Sequence, residues 1–547
     1  MSAEDPLLIV QVEPPQDTSC GDYYYRTYAP GMAMAEAGAY VVNLTNIHRR
    51  KTEIMASADV LVLKNISDPD LFPLIHDRSA KGLVTVYEIA DDLHAIPTWN
   101  PVSSFFENRE NLCVVCQTAQ SCEATQVSVP ELKNRYMCLG KNSAVFQNQI
   151  LQVPPARRGR PQQNVVIGWG GSDGHLQDMA AIGVPLEKWI TQTSNVRLHL
   201  MSSRAIWDLF SAIPQDKKKY IAPGSINDYY DFLNEIDIGI APLNDTAFNR
   251  SRSDVKFLEY AVSEVVPVMQ DLEPYRQTVK PNKTGYLFAH PQDMIGILNK
   301  LIQTPVLITE IAGKARQYVL DERLQRHHAK DRITYYEDLL RQKGSISSVA
   351  EAKELFSTWS SLEGAVRHQR NVQLKATKYE EYLYEGLLTL RANHRSGEGR
   401  DLFTAASQLQ PEQYLPFLFA SAVSQDPVVC LQNALERNPL SLKSWVLLGD
   451  QFARQGKVND ALTCFQRASQ TCPNYLVPLL KVYRLLLALG ETIQANDLFN
   501  RLRGLYSECL LNNILNHEQG QCNTQRIHIS RNSPLESSNP SLPGNAL

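Results

Sequence analysis

Between residues 7 and 150 short apolar runs alternate with segments of helix length, and the same alternation restarts at Asn164. The first set lies at 7–12, 39–44, 59–63, 83–89, 113–116 and 143–146, and the second reads NVVIGW, VRLHLM, KKYIAP, DIGIAP and VVPVM. Apolar runs this short, spaced by helix-length stretches, predict parallel strands joined by crossover helices. The fold class is therefore α/β, with two Rossmann-like domains at 1–152 and 164–341. They are divided at 153–163 by VPPARRGRPQQ, where neither a helix nor a central strand can persist, so this stretch is read as a hinge. Residues 321–341 predict a long amphipathic helix closing the second domain. Two open sheets facing each other bring the carboxyl ends of their strands to one cleft, where such sheets bind ligands.

Past residue 341 the strand-like runs stop. Residues 342–378 are read as a helical connector and 379–517 as an all-α region of tetratricopeptide-like repeats. The best copy, 442–474, carries Trp445, Leu448, Gly449, Phe452, Gly456, Ala461, Phe465, Ala468 and Pro473, which fits the tetratricopeptide pattern. Pro439 precedes Pro473 by 34 residues, and Ala495 and Phe499 repeat Ala461 and Phe465. An earlier degenerate unit runs from Tyr379 through Leu387, Ala405 and Pro411. Stacked repeats offer a surface for the acceptor, a protein partner or a second copy of the chain. Residues 518–547 lack an apolar period and predict a disordered tail.

A length of 547 residues allows about three domains. Lys and Arg number 54 against 58 Asp and Glu, a formal charge of −4. With no basic excess, long nucleic acid is excluded as the main ligand, whereas a small anion needs only a local positive site. The acidic start MSAEDPLLIV does not read as a signal peptide, and no apolar run approaches the ~20 residues of a membrane span. A cytoplasmic location is expected, with peripheral membrane contact left open. Of ten scattered cysteines only Cys113, Cys116 and Cys122 are close; without a second pair they are read as reduced structural residues, with Val114 and Val115 as strand core.

Two stretches carry chemistry. Gly168 to His175 (GWGGSDGH) follows an apolar strand, so Gly170 and Gly171 let backbone amides approach a ligand while Ser172 and His175 add side-chain donors, and His175 could be cationic beside a diphosphate. A tight turn with no ligand is the alternative. In the second stretch Ser253 is an N-cap candidate for a helix running to about Ser263. Arg252 and Lys256 then stand at a helix start whose dipole already favours anions, a conflict that an arriving phosphate resolves. Glu259, one turn on, either pairs with Lys256 or accepts from a pair of sugar hydroxyls.

These residues, in the order strand, Gly-Gly-Ser, DIGIAPL, KFLEYA and VPV, resemble the retaining GT-B glycosyltransferases of the large family that includes many bacterial polysaccharide and mannosyl transferases. Tyr24-Tyr25-Arg26 and Tyr87 to Asp92 (YEIADD) resemble one bacterial branch of it. The resemblance covers about residues 7–340, and 237–269 is its specific part. It implies transfer of a sugar from a nucleotide-diphosphate donor to an acceptor hydroxyl with retention of configuration. Glu259 would hold the ribose, and Gly170, Gly171, Ser172, His175, Arg252, Lys256, Gly21 and Arg26 would serve the donor diphosphate. Glu88, Asp91 and Asp92 would orient or deprotonate the acceptor, a glycan, lipid-linked molecule or protein; helix capping and solvation are the alternative for the aspartates.

The resemblance implies no metal and no cofactor, because members of this architecture commonly neutralise the leaving diphosphate with cationic side chains and helix dipoles. Ser251 stands where the family's first glutamate falls, His175 where many members carry lysine, and Trp169 where many carry arginine. Glu264 replaces the glycine that ends this helix, at about 1 kcal/mol if a left-handed backbone is required. Ser251 and Glu264 keep open a weakened scaffold that binds a protein partner, and a sugar-nucleotide epimerase on the same architecture is a third option.

Overall fold

The computed structural model describes residues 6–15, 20–100, 102–139, 142–156, 164–344, 349–391, 396–506 and 511. In the first domain β1 (Leu8–Glu13), β2 (Tyr40–Thr45), β3 (Val60–Lys64), β4 (Val84–Ile89), β5 (Ala124–Val127) and β6 (Ser143–Val145) run parallel in the order β2-β1-β3-β4-β5-β6. β1, β3, β4 and β5 are buried at every position, as strands covered on both faces must be. In the second domain β7 (Val165–Gly170), β8 (Val196–Met201), β9 (Lys218–Ile221), β10 (Ile238–Ala241), β11 (Val266–Gln270) and β12 (Tyr286–Phe288) form a parallel sheet of order β12-β11-β10-β7-β8-β9. Two facing parallel α/β domains are thus present, followed by a helical region.

The chain passes between the domains twice, and the passages meet. Ile150 pairs with Leu324, its N–H donating to the Arg323 carbonyl at 2.9 Å. The buried Arg323 guanidinium binds Asp254 at 2.7 Å, Gln149 at 2.8 Å and the Asn148 carbonyl at 2.9 Å. The first residue before the Val255–Val262 helix is thereby tied to both passages between the domains. Of the hinge read at 153–163, residues 157–163 lie outside the described residues, as does the tail at 518–547.

Three expectations are corrected. Residues 113–116 are not a strand but part of the helix Arg109–Ser121, capped by Asn108 on the Glu110 N–H at 2.9 Å, and the strand comes later as β5. Leu112 to Ala119 are continuously buried between the sheet and the C-terminal helices, so the helical period is invisible in sequence. The helix Gln325–Lys343 closes the first domain rather than the second: Tyr336, Leu339 and Leu340 join the apolar cluster of β1, β3 and β4, and the Tyr336 hydroxyl donates to Gln126 at 2.8 Å. The connector at 342–378 is not purely helical. After the helix Val349–Ser360, strands β13 (Ala365–His368) and β14 (Asn371–Leu374) form an antiparallel hairpin, and β14 pairs parallel with β2, extending the first sheet to eight strands.

The C-terminal helices include Lys378–Arg391, Ser396–Leu409, Pro427–Arg437, Leu442–Arg454, Val458–Thr471, Leu476–Ala488 and Thr492–Leu505. A Cβ at Gly449 would lie 2.5 Å from the Phe465 ring, so this small residue is where two helices make their closest approach. The region rests on the first domain. Asp70 accepts from the Tyr414 hydroxyl (2.9 Å), the Ser441 hydroxyl (2.8 Å) and the Lys443 N–H (2.9 Å). Gln117 bridges to Asn474 and Leu476, Lys481 pairs with Glu110 at 2.7 Å, and Leu442, Val446, Leu476 and Leu480 enter the first-domain core. The first helix of each of the last two hairpins is therefore covered from within the chain.

Candidate functional site

The carboxyl ends of β1, β3 and β4 face those of β7 and β10, and the residues singled out in sequence gather there. On the first-domain side the charges are paired. Lys64, ending β3, binds Glu13, ending β1, at 2.7 Å and Asp22 at 2.6 Å. Burial raises the Glu13 carboxyl, against the pull of Lys64. Arg26 Nε binds Glu88 at 2.5 Å, and its Nη1 donates to the Phe146 carbonyl (2.7 Å) and Asn148 (2.9 Å); Glu88 also accepts from Gln126. Arg26 and Glu88 are 3 % and 1 % exposed, so each is turned to the other rather than to the cleft.

Asp92 is likewise buried, holding the Tyr136 hydroxyl at 3.2 Å and Arg135 at 3.3 Å. Asp91 differs. It is half-buried and makes no hydrogen bond among the described residues, and its carboxyl is raised by burial against the nearby Arg252 cation. Of the three acceptor-side carboxylates, Asp91 is the one left available. Gly21 opens the turn Gly21–Tyr23 and is exposed; a Cβ there would meet nothing within 4 Å.

On the second-domain side the glycine loop is shaped first by packing. A Cβ at Gly170 would lie 2.7 Å from the Tyr229 ring, and one at Gly171 2.7 Å from the Trp169 indole. Trp169 is itself fully buried, and Ser172 lies exposed at the mouth. His175 is buried, with Nδ1 2.9 Å from Asp178, and burial together with the Arg252 charge lowers it to about 4. Burial thus favours the neutral imidazole in the folded chain, whereas the sequence allows a cation beside a diphosphate. Asp178 also accepts from the Asn244 N–H (2.8 Å) and Asn249 (2.9 Å), linking the loop after β7 to the loop after β10.

The helix start at this cleft is Asp254, not Ser253: the helix is Val255–Val262, and Ser253 instead accepts from Asn148 of the first domain at 2.8 Å. Arg252 is half-buried over the Phe248 ring at 5.3 Å, with no carboxylate within ion-pair distance among the described residues. Lys256 donates to the Tyr229 hydroxyl at 3.0 Å and lies 3.4 Å from Glu259. The Glu259 carboxylate accepts from Tyr25 of the first domain and from Tyr229, each at 2.9 Å. Ser251 turns its hydroxyl to the carbonyls of Ala247 and Phe248. Glu264 has φ 54°, the left-handed conformation the sequence anticipated. Its N–H bonds the Ala261 carbonyl and the Val265 N–H the Tyr260 carbonyl, the paired bonds of a Schellman end.

Sequence reasoning missed the Glu13–Lys64–Asp22 cluster and the Asp178 hub. The available signals were a charge closing each of two apolar strands, LIVQVE and VLVLK, and an aspartate one helical turn after His175. No group of three or more His, Cys, Asp or Glu side chains among the described residues is placed to hold a metal.

No family model matches this sequence, and no curated protein matches it. Solved structures do. The chain is similar to TarM at 12 % identity and a TM-score of 0.42 over 52 % of this chain and 56 % of TarM, so it spans just over half of that relative. It is similar to sucrose-phosphate synthase from Thermosynechococcus elongatus at 11 % identity and a TM-score of 0.45, over 61 % of this chain and all of that one. HepE from Anabaena, in a structure with UDP and glucose, is similar at 11 % identity and a TM-score of 0.47, again over 61 % of this chain and the whole of HepE.

Proposed function

We propose that the chain is a retaining glycosyltransferase that moves a sugar from a nucleotide-diphosphate donor to an acceptor hydroxyl. The observation that carries this reading is Arg252, a half-buried cation with no carboxylate partner among the described residues, beside Lys256 at a helix start in the cleft between two α/β domains. Such a site stabilises negative charge as it develops on a leaving diphosphate. In this reading Glu259 takes the ribose hydroxyls and the exposed Ser172 serves the donor at the mouth, while the Gly171 N–H, given to the Met201 carbonyl at 3.0 Å, stays with the sheet. Asp91, its carboxyl raised and near Arg252, is the group to orient or deprotonate the acceptor.

No metal is required, so chelation with EDTA should leave turnover intact. We place the protein in the cytoplasm, with the helical region, read as degenerate tetratricopeptide repeats, serving an acceptor or partner. No single helix among the described residues is long and apolar enough to cross a membrane.

The test is donor hydrolysis and transfer across a panel of nucleotide sugars, with Lys256→Ala and Glu259→Ala alongside. Loss of turnover by about a hundredfold in Lys256→Ala is expected, and turnover that neither substitution changes overturns the assignment. The anomeric configuration of the product by NMR tests retention. A second reading, a nucleotide-binding scaffold without turnover, is favoured by one observation: Ser251 offers no carboxylate at the cleft and bonds backbone carbonyls instead. Nucleotide binding with no turnover on any donor would select it.

A further inference from the structure

Glu259 is 5 % exposed, and each of its oxygens already holds a phenol: Tyr25 on Oε1 and Tyr229 on Oε2, both at 2.9 Å. Two hydroxyls on the two oxygens of one carboxylate is the arrangement a ribose diol would make. The two phenols differ in origin. Tyr229 belongs to the same domain as Glu259 and is held there by Lys256, whose ammonium bonds its hydroxyl at 3.0 Å and lies 4.7 Å from its ring centroid. Tyr25 reaches across from the first domain, on the π-helical turn Tyr24–Tyr28, a backbone form frequent at functional sites. Next to it Tyr24, its ring edge-on to Tyr25 at 5.0 Å, carries a buried hydroxyl without a hydrogen-bond partner among the described residues.

Resting on the reading of Glu259 as the ribose residue, we propose that Tyr25 is the protein's own occupant of the ribose position. A nucleoside diphosphate binds by exchanging its ribose hydroxyl for the Tyr25 phenol, while Tyr229 is a positioning residue that stays and orients the carboxylate. Removing the Tyr25 hydroxyl removes a competitor, whereas removing that of Tyr229 loosens the receptor, so the two conservative substitutions shift affinity in opposite directions. A purely structural role for both phenols would weaken binding in both variants or in neither.

Calorimetric titration of the full chain with UDP, GDP and ADP in turn tests this, with thermal melting to show that each variant is folded. Tyr25→Phe, which keeps the ring packed among Ile150, Leu258 and their neighbours, should bind about fivefold tighter than the wild type, and Tyr229→Phe about fivefold weaker, each the size of one hydrogen bond. Tyr25→Met, also without the hydroxyl, serves should the Phe variant fail to fold. Unchanged or weaker binding by the Tyr25 variant, with the wild type binding normally, overturns this proposal and leaves the glycosyltransferase reading standing. Binding by the variant but not the wild type supports it. Absence of binding in every protein overturns both.

Discussion

The two walls of the cleft handle charge in opposite ways. On the first-domain wall Glu13, its carboxyl raised by burial, and Asp22 both close onto Lys64, and Arg26 is closed onto Glu88. On the second-domain wall His175 is held neutral, Lys256 shares Glu259 with two phenols, and Arg252 has no carboxylate within ion-pair distance among the described residues, its charge reaching Asp91 only at longer range. Internal pairing makes the first wall part of the fold's stability. Incomplete pairing leaves cationic charge on the second wall, the basis of the anion site proposed above, and such charge contributes little to stability by itself.

Substitutions should separate these roles. Arg26→Ala leaves Glu88 buried without its cation and should cost about 3–5 kcal/mol, read by denaturant unfolding; a loss under 1 kcal/mol would dissolve the contrast. His175 tests the neutral part of the second wall. Its ordinary value of 6.5 falls to about 4 in the folded chain, so between these the unfolded chain binds a proton that the folded one does not. Stability should therefore rise with pH across that window, by something of the order of 3 kcal/mol, and His175→Asn should flatten the slope.

Arg252→Ala should leave stability within about 0.5 kcal/mol while weakening nucleoside diphosphate binding about tenfold, measured by calorimetry. A fall in stability matching that of Arg26→Ala would place Arg252 on the structural side. The smallest effect is at Glu264, where φ 54° strains a residue with a Cβ. Glu264→Gly should stabilise by about 0.5–1 kcal/mol, offset in part by the lost contact to Arg316 at 3.6 Å.

Much of the fold is legible because parallel strands buried on both faces are mostly apolar runs, as at 7–10 and 60–63. The failures have a common cause. The helix Arg109–Ser121 is covered on both sides, so its apolar residues lose the helical period and read as a strand at 113–116. β14 is found only through its partner β2, since a four-residue strand carries no periodic signal. At the site, the grouping of Lys256 and Glu259 follows from their spacing of one helical turn, and Arg252 from its place just before the same helix. The engagement of Arg26 with Glu88, 62 residues away, does not.

The sequence by itself determined the two α/β domains, the helical region and the cations at one helix start, because each depends on residues near one another along the chain. Tertiary structure alone decided which charges remain available, since pairing joins residues far apart in sequence. It pairs Glu13 with Lys64, silences His175 by burial and places Tyr25 on Glu259, 234 residues away. Ionisation and hydrogen bonding are set by burial and by the nearest partner, and both exist only once the sheets have folded and the two domains have met.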